Sequence, residues 1–470
     1  MVSSGLTLQR FVSRVVFIVF SVLVAISVQA QPGEITGTMP EDYLPELKPI
    51  LATALQRSPE TIAKEFDRLS AEARLTQANS SRLPRVGGNF NYGITRTAIA
   101  ANTSRQESNS GFYYSFGLSQ AIFHWGALSA EREAARISVI VSDKGLALAY
   151  RELSVMLRKV YLALIVEKAE LQQARKSLQL VRDDLAIIRA KKESGSVSGA
   201  AVAGEELRER EHSVEIARVE ADFAANRRRF ARLAGIAGGD LPEERIPADI
   251  PRPTYSEPLT TALLAALLRD NAKGTIEYEI YDLKLRDAVL RQKIAATRLL
   301  PKFGANASYT LENSTNVNGN LAEQVATIRQ SAGIGGAWDI FDGFATGGAK
   351  REALISKRAI EQRKAADIEE LLQNAQARER ALKVDAELLD ITDTRHGMAI
   401  EGRDRIATEV GFGNLAKGEI ARAQIGILQA DAKKLGARAT FLNRWSEFVA
   451  LAGHDPVLNN LPARHVREKK

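Results

Sequence analysis

Four segments of the chain alternate between apolar and polar residues with a period of two, which is typical of β-strands with one apolar face. The alternation predicts strands over about 86–94 and 112–123, and again over about 303–311 and 328–341. Most positions between the apolar ones are small or polar. The aromatic residues that we expect on the apolar face are Phe90, Tyr92, Phe112, Tyr114, Phe116, Tyr309 and Trp338.

This pattern is typical of a transmembrane β-barrel, whose strands turn apolar side chains to lipid and polar ones to the interior. A half-buried hairpin of a water-soluble domain alternates in the same way and is the alternative. The polar stretches 95–110 and 312–325 are expected to be external loops. Because four strands are too few to close a barrel and lipid does not tolerate an open edge, several copies would have to share one barrel. A trimer would supply twelve strands and a dimer eight; the sequence alone leaves both open.

A very long helical segment follows each strand pair. In the first, over about 127–194, thirteen seam positions recur at alternating spacings of four and three, and twelve of them are apolar, which is a coiled-coil pattern. The second long segment covers about 345–410. A segment of this length spans about 100 Å as a helix. Shorter helices are expected before the strands, at about 59–80 and 271–297, and after the long helices, at about 198–234 and 415–451.

The spacing of shared residues shows that the chain is an internal duplication. Each copy has a phenylalanine at the end of its predicted second strand, a glycine 72 positions later and another glycine 40 positions beyond that. These residues are Phe123, Gly195 and Gly235 in the first copy, and Phe341, Gly413 and Gly453 in the second. We therefore predict a first repeat over 31–240, a proline-rich linker over 241–258, a second repeat over 259–455 and a basic tail over 456–470.

The N-terminal segment has the features of a secretory signal peptide. Arg10 and Arg14 precede an apolar run over 15–28, and small residues lead up to Ala30. We predict a signal peptide over 1–30 that is cleaved after Ala30. A transmembrane anchor is the alternative, but the apolar run is shorter than the roughly 20 residues that span a bilayer.

Composition and motifs argue against an enzyme and against nucleic-acid binding. The net charge is +7, but the basic residues are scattered and are not interleaved with aromatic ones. The chain has no cysteine, and its five histidines lack metal-ligand spacing. Residues 343–350 suggest a phosphate-binding loop, but Arg351 replaces the required serine or threonine. We therefore predict no enzymatic activity, no cofactor and no metal.

The order of elements resembles the TolC-type outer-membrane factor family over about residues 44–455. The motifs that carry the resemblance are the Leu-Pro pairs at 83–84 and 300–301, Ile-Phe-His-Trp-Gly at 122–126, Trp-Asp-Ile-Phe-Asp-Gly at 338–343, and the Val-Gly-Phe-Gly turn at 410–413. The resemblance implies a mainly α-helical fold with long antiparallel coiled-coil helices. In a homotrimer these helices would form a periplasmic tunnel, and the strands would form a twelve-stranded outer-membrane β-barrel.

The implied function is that of the exit duct of a tripartite efflux pump or a type I secretion system in a Gram-negative cell. The implied location is the cell outer membrane, with a long periplasmic portion. The implied partners are two further copies of the chain, outer-membrane lipid, a periplasmic adaptor, and an inner-membrane RND, MFS or ABC transporter. A structural periplasmic coiled coil or adaptor without a pore is the alternative.

The resemblance also directs attention to the periplasmic tip. Family members often carry an acidic residue six positions after the tip glycine, and Glu419 has that position in the second repeat. A ring of three such carboxylates would favour cations, whereas an ordinary solvated residue is the alternative. The first repeat has Ala201 instead, and Arg422 stands where some relatives have a second acid; it is expected to pair with Glu419 or to weaken cation selectivity. The predicted tip residues are Gly195, Gly413, Glu419, Arg422 and Glu205.

Overall fold

The structure is a computed structural model that describes residues 39–99, 105–236, 238–318, 321–416 and 418–460. The predicted signal peptide over 1–30 and residues 461–470 of the predicted tail lie outside these ranges. Among the described residues, no helix combines the length and the apolar character that a bilayer crossing requires.

Both repeats have the same order of elements, in which helices precede a strand pair and a long helix and a returning helix follow it. The first repeat consists of α1 (Pro40–Tyr43), α2 (Leu47–Arg57), α3 (Pro59–Ser80), β1 (Arg85–Ile99), β2 (Arg105–Phe123), α4 (Ala127–Glu193) and α5 (Gly199–Leu233). The second consists of α6 (Glu257–Arg269), α7 (Ile276–Ala296), β3 (Lys302–Asn318), β4 (Leu321–Ala337), α8 (Ala345–Gly411) and α9 (Gly418–Leu451). Short 3-10 helices occupy Glu243–Arg245 and Pro456–Asn460.

The strands are longer than the alternation predicts. Most of 95–110 and 312–325, which we expected to be loops, belongs to strands. These stretches lack apolar alternation, but sheet pairing uses backbone groups and does not require it. At the other end, β4 stops at Ala337, so Trp338 and Ile340 follow the strand instead of belonging to it. The Trp338 indole N–H donates a hydrogen bond to the Leu299 carbonyl, 3.0 Å away, and this bond ties the residue to the chain before β3.

Two helices ahead of the strands also differ from expectation. The helix predicted over 271–297 begins only at Ile276, because Asn271 and Ala272 have φ values of 49° and 58°, outside the helical region. The Thr275 hydroxyl then accepts a hydrogen bond from the Tyr278 backbone N–H and caps the helix. In addition, α6 begins inside the predicted linker, at Glu257, because Pro258 is suited to the first turn of a helix.

The strands form one antiparallel sheet in the order β1-β2-β3-β4. The register places residues of the same character side by side across the sheet. One row contains Phe90, Tyr114, Leu311 and Ile328, and the next row on the opposite face contains Asn89, Ser115, Thr310 and Arg329. The two halves of the duplication therefore contribute to a single sheet with one apolar and one polar face.

The helices form a layer four helices wide. The long helix α4 packs against α3 and α5 on one side and against α7 and α9 on the other, and α8 packs against α7 and α9. Because α3 directly precedes the strands and α5 follows the far turn, α3 flanks the sheet-proximal part of α4 and α5 flanks the distal part. One outer flank of the layer consists of α3 and α5, and the other consists of α8.

The main core lies where α2, α4, α5 and α9 meet the linker. It includes the fully buried residues Leu47, Leu157, Tyr161, Phe230 and Leu442. Along α8 only one side is buried, through Ile368, Ala375, Leu382 and Leu389. The long helix α4 has neighbouring helices on both of its sides, whereas α8 is covered along one side only.

Candidate functional site

The apolar face of the sheet is exposed in the single chain. Phe90 is 81% exposed, and Tyr92, Phe112 and Phe116 are also exposed, whereas Tyr114 and Tyr309 are partly covered. Neighbouring rings contact each other: the Phe112 and Tyr114 centroids lie 5.7 Å apart, and those of Tyr114 and Phe116 lie 6.3 Å apart. The register thus collects six of the seven aromatic residues predicted from the sequence on one surface. The seventh, Trp338, is exposed beyond the end of β4.

The opposite face of the sheet is polar and rich in small residues. Ser308 and Ser331 lie side by side, with their hydroxyl oxygens 2.8 Å apart. Three basic side chains on this face, those of Arg85, Lys302 and Arg329, are exposed. A polar and an apolar face of similar size on an exposed sheet require two different surroundings.

The sheet has two open edges. Among the described residues, β1 pairs only with β2 and β4 pairs only with β3. An unpaired strand presents a row of free backbone donors and acceptors to whatever lies beside it. The 15 residues of β1 and the 17 of β4 therefore form two long edges that are available for pairing with other strands.

Two equivalent bends connect the sheet to the long helices. In each repeat, the residues two and three positions after the shared phenylalanine have positive φ values. They are Trp125 (54°) and Gly126 (80°) in the first repeat, and Gly343 (63°) and Phe344 (69°) in the second. The Trp125 indole N–H donates a hydrogen bond to the Pro301 carbonyl at 2.7 Å, so the first bend is held against the Leu-Pro motif of the second repeat.

At the far end, the turns at Gly195 and Gly413 have the same geometry. Their φ values are 72° and 80°, a region that glycine enters without strain. In the first turn, the N–H groups of Gly195 and Ser196 donate to the carbonyls of Lys192 and Lys191, both at 2.9 Å. The equivalent pair of bonds closes the second turn, at 3.1 and 3.0 Å. This Schellman arrangement explains why a glycine occupies the same place in both repeats.

The tip residues of the second repeat form a charge cluster that extends into the first repeat. Arg422 bonds to Glu419 one turn away, and its second guanidinium nitrogen lies 3.3 Å from an Asp184 carboxylate oxygen on α4. The hydrogen bond to Asp184 and the nearby Glu419 raise the pKa of Arg422. Sequence reasoning missed Asp184 because no local pattern indicates which α4 residue lies beside α9.

The predicted tip residue Glu205 does not take part in this cluster. Its carboxylate lies 3.5 Å from Arg208 on its own helix. Nearby, Arg189 bonds to Glu206 at 2.7 Å and lowers the pKa of that carboxyl group. Further ion pairs, Arg182–Glu209 and Arg175–Glu220, join α4 to α5 in the same way. In the described part of the chain, no group of three His, Asp or Glu side chains is arranged to hold a metal ion.

The chain is similar to a known protein family in sequence and to several solved structures in fold. Residues 50–236 match the model of the family described as outer membrane efflux protein. No curated protein matches the chain in sequence. Among solved structures, the chain is similar to the CmeC outer membrane channel of Campylobacter jejuni, with a TM-score of 0.69 and 14% identity over 92% of this chain and 91% of that one.

Two further channels have the same fold. The outer membrane protein VceC of Vibrio cholerae gives a TM-score of 0.63 with 13% identity, covering 90% of this chain and 99% of that one. The MtrE outer membrane channel of Neisseria gonorrhoeae gives 0.61 with 15% identity, covering 87% and 89%. The resemblance seen in the sequence is thus confirmed: the first repeat matches the outer membrane efflux protein family, and both repeats together have the fold of TolC-type outer-membrane factors.

Proposed function

We propose that this protein is an outer-membrane exit duct, which passively conducts substrates from an inner-membrane transporter across the periplasm and the outer membrane. The observation that carries the proposal is the exposed sheet, which has one apolar face, one polar face and two open edges. Lipid against the apolar face and water against the polar face would satisfy both, and pairing with further copies would satisfy the edges. A periplasmic coiled coil without a pore would leave this sheet unexplained.

Further copies would close both the sheet and the helical layer, and three copies are the number that the resemblance to outer-membrane factors implies. In a homotrimer, β4 of one copy would pair with β1 of the next, and the barrel would have twelve strands. The same operation would place twelve helices around the tunnel, since each copy is four helices wide. The number of helices around the ring would then equal the number of strands, and each helix could continue the wall that a strand begins.

The helical flanks carry apolar residues that such an arrangement would bury. On α8, the exposed residues Val384, Leu388, Ile391 and Met398 recur at spacings of four, three and seven, with Val384 63% and Met398 65% exposed. On the other flank, α5 exposes Leu207 and Val214, which are seven positions apart. Met398 precedes its tip glycine by 15 positions and Val214 follows its own by 19. Both stripes therefore lie at a similar distance from the tip, as two halves of one seam require.

The tips are the part of the duct that we assign to partners and gating. The turns at Gly195 and Gly413 would meet a periplasmic adaptor, and Glu419 and Arg422 would line the narrow end. The description of the matching family as efflux proteins favours an efflux pump over type I secretion. RND, MFS and ABC transporters are the candidate inner-membrane partners.

The proposal is tested with the full chain expressed in a Gram-negative host. We expect it in the outer-membrane fraction as a trimer that resists SDS until heated, and we expect ion conductance in planar bilayers. The double variant Val384→Asp, Ile391→Asp should lose the trimer and the conductance, because it places charges in the proposed seam. The matched control Glu401→Gln changes an exposed polar residue of the same helix and should retain both. A soluble periplasmic product without conductance would overturn the proposal that the protein is an outer-membrane duct.

A further inference from the structure

Among the side chains that the structure describes, those on the polar face of the sheet carry an excess of positive charge. Arg85, Lys302 and Arg329 all project from it, and none of them forms an ion pair within the described part of the chain. Among the side chains of this face that the structure describes, Glu312 is the acidic one, and it is also exposed. The other side chains of this face that the structure describes are small, such as Gly117 and Ser331, or neutral and polar, so Glu312 is the one described side chain that opposes the three positive charges.

The three basic side chains lie at regularly spaced levels along the strands. Lys302 begins β3, Arg85 shares a row with Asn306, and Arg329 shares a row with Thr310. The levels are therefore four residues apart along β3, which corresponds to about 13 Å in a strand. In a closed trimer each level would be a ring of three positive charges. Glu312 lies two positions beyond the third level, diagonal to Arg329, and would offset that ring in part.

The tip cluster of each copy carries one net negative charge, against three basic side chains on the polar face of the sheet. The Glu419 carboxylate is bonded to Arg422, which also contacts Asp184. The guanidinium group thus offsets one of these two carboxylates, and the cluster keeps a net charge of about −1. The basic side chains of the polar face, by contrast, have no acidic partner within the described part of the chain.

We infer that the barrel is selective for anions, and that the class of substrate this duct passes most readily is anionic. The inference rests on the proposed function, because the polar face becomes a lumen only in a closed barrel. Rings of Arg and Lys favour anions in pores, and walls of low dielectric constant focus their field. Because the Debye length is about 10 Å at 0.1 M salt, the levels act as separate rings, and their effect weakens at high salt.

The experiment measures the reversal potential of the full-length trimer in planar bilayers under a KCl gradient at low ionic strength. We expect a chloride-to-potassium permeability ratio above one. The triple variant Arg85→Gln, Lys302→Gln, Arg329→Gln should lower this ratio about threefold or more, and Glu312→Gln should raise it. The double variant Asn306→Gln, Thr310→Ser alters the same rows without changing charge and should leave the ratio unchanged. If the triple variant fails to assemble, Arg329→Gln alone still carries the test.

The possible results distinguish a failure of the anion selectivity from a failure of the proposed duct. A conducting channel whose ratio is at or below one, or whose ratio the triple variant does not change, overturns the inference and leaves the duct intact. If Arg422→Gln shifts the ratio toward potassium by more than the triple variant does, the tip and not the barrel sets selectivity, and the inference is again wrong. A correctly assembled trimer without any conductance overturns the proposed function and the inference with it.

Discussion

At the residue scale, Glu167 is the polar exception in the apolar seam of α4. One of its carboxylate oxygens accepts a hydrogen bond from the Asn226 side chain at 2.6 Å, and the other is buried and has no partner among the described residues. Burial raises the pKa of Glu167 to about 6; Asn226 opposes the shift, and Glu170 and Asp222 add to it. The folded state therefore favours the protonated form.

This shift predicts how stability depends on pH. The pKa of Glu167 in the folded state lies above the reference value of 4.5. Its stabilising contribution to the free energy of unfolding is therefore fully present below about pH 4.5 and is lost as the pH rises through about 6. The difference corresponds to about 2 kcal/mol. Glu167→Gln should therefore raise the melting temperature of the detergent-solubilised protein at pH 8 and change it little at pH 4.5. An equal effect at both pH values would contradict the assignment.

At the element scale, the glycines that end the returning helices differ in their surroundings although they are equivalent by duplication. Gly235 follows α5 with a φ of 63°, and a Cβ atom built on it would lie 2.7 Å from the Arg57 Cβ and 2.9 Å from the Arg57 carbonyl oxygen. Gly453 follows α9 with a φ of 78°, but its Cβ would lie 3.7 Å from the nearest atom, the Gly274 carbonyl oxygen. The end of α2 thus packs directly on Gly235.

We expect Gly235→Ala to cost more stability than Gly453→Ala. Both substitutions force alanine into the left-handed region, which costs about 1–2 kcal/mol. Only Gly235→Ala also pushes against the backbone of α2, which adds about 1–3 kcal/mol. Guanidinium unfolding of the two variants, followed by helical circular dichroism, measures the difference. Equal losses of stability in the two variants would mean that α2 moves away from the added methyl group without an energetic penalty.

At the scale of the whole molecule, Arg158 on α4 holds both ends of the described chain. Its guanidinium group donates to the Glu41 carboxylate at 2.6 and 2.9 Å, to the Asp455 carboxylate at 2.6 and 3.0 Å, and to the Ser446 hydroxyl at 3.1 Å. All four side chains are buried. Burial by itself would lower the pKa of Arg158, but Asp455 and Glu41 outweigh it and raise that pKa, so the arginine stays charged.

Removing the arginine should be more damaging than removing the whole charge cluster. We expect Arg158→Ala to cost about 3–5 kcal/mol, because it leaves two buried carboxylates unpaired. The triple variant Arg158→Met, Glu41→Gln, Asp455→Asn removes the charges together and should recover much of that loss. Thermal unfolding of both variants checks this expectation. A triple variant no more stable than Arg158→Ala would show that the cluster contributes through its shape and not through its charge balance.

The local patterns of the sequence were enough to predict most of the elements and the duplication. Period two indicated the strand pairs and their apolar face, period 3.5 indicated the long helices, and the repeated spacing of Phe123 and Gly195 in Phe341 and Gly413 showed two copies. These are local properties, since the spacing of apolar residues records which side of an element is buried. The outer halves of the strands lack alternating apolar residues, so the pattern did not predict them as strands. Their backbones nevertheless pair in the sheet.

Which elements contact each other became clear from the folded structure. It brought Asp184 to Arg422, Glu41 and Asp455 to Arg158, and the Pro301 carbonyl to Trp125. It also arranged the basic residues of the polar face at three levels along one sheet, because the register joins strands from both repeats. Periodicity tells which side of an element needs a neighbour, but the identity of that neighbour depends on packing between segments that lie far apart in the chain.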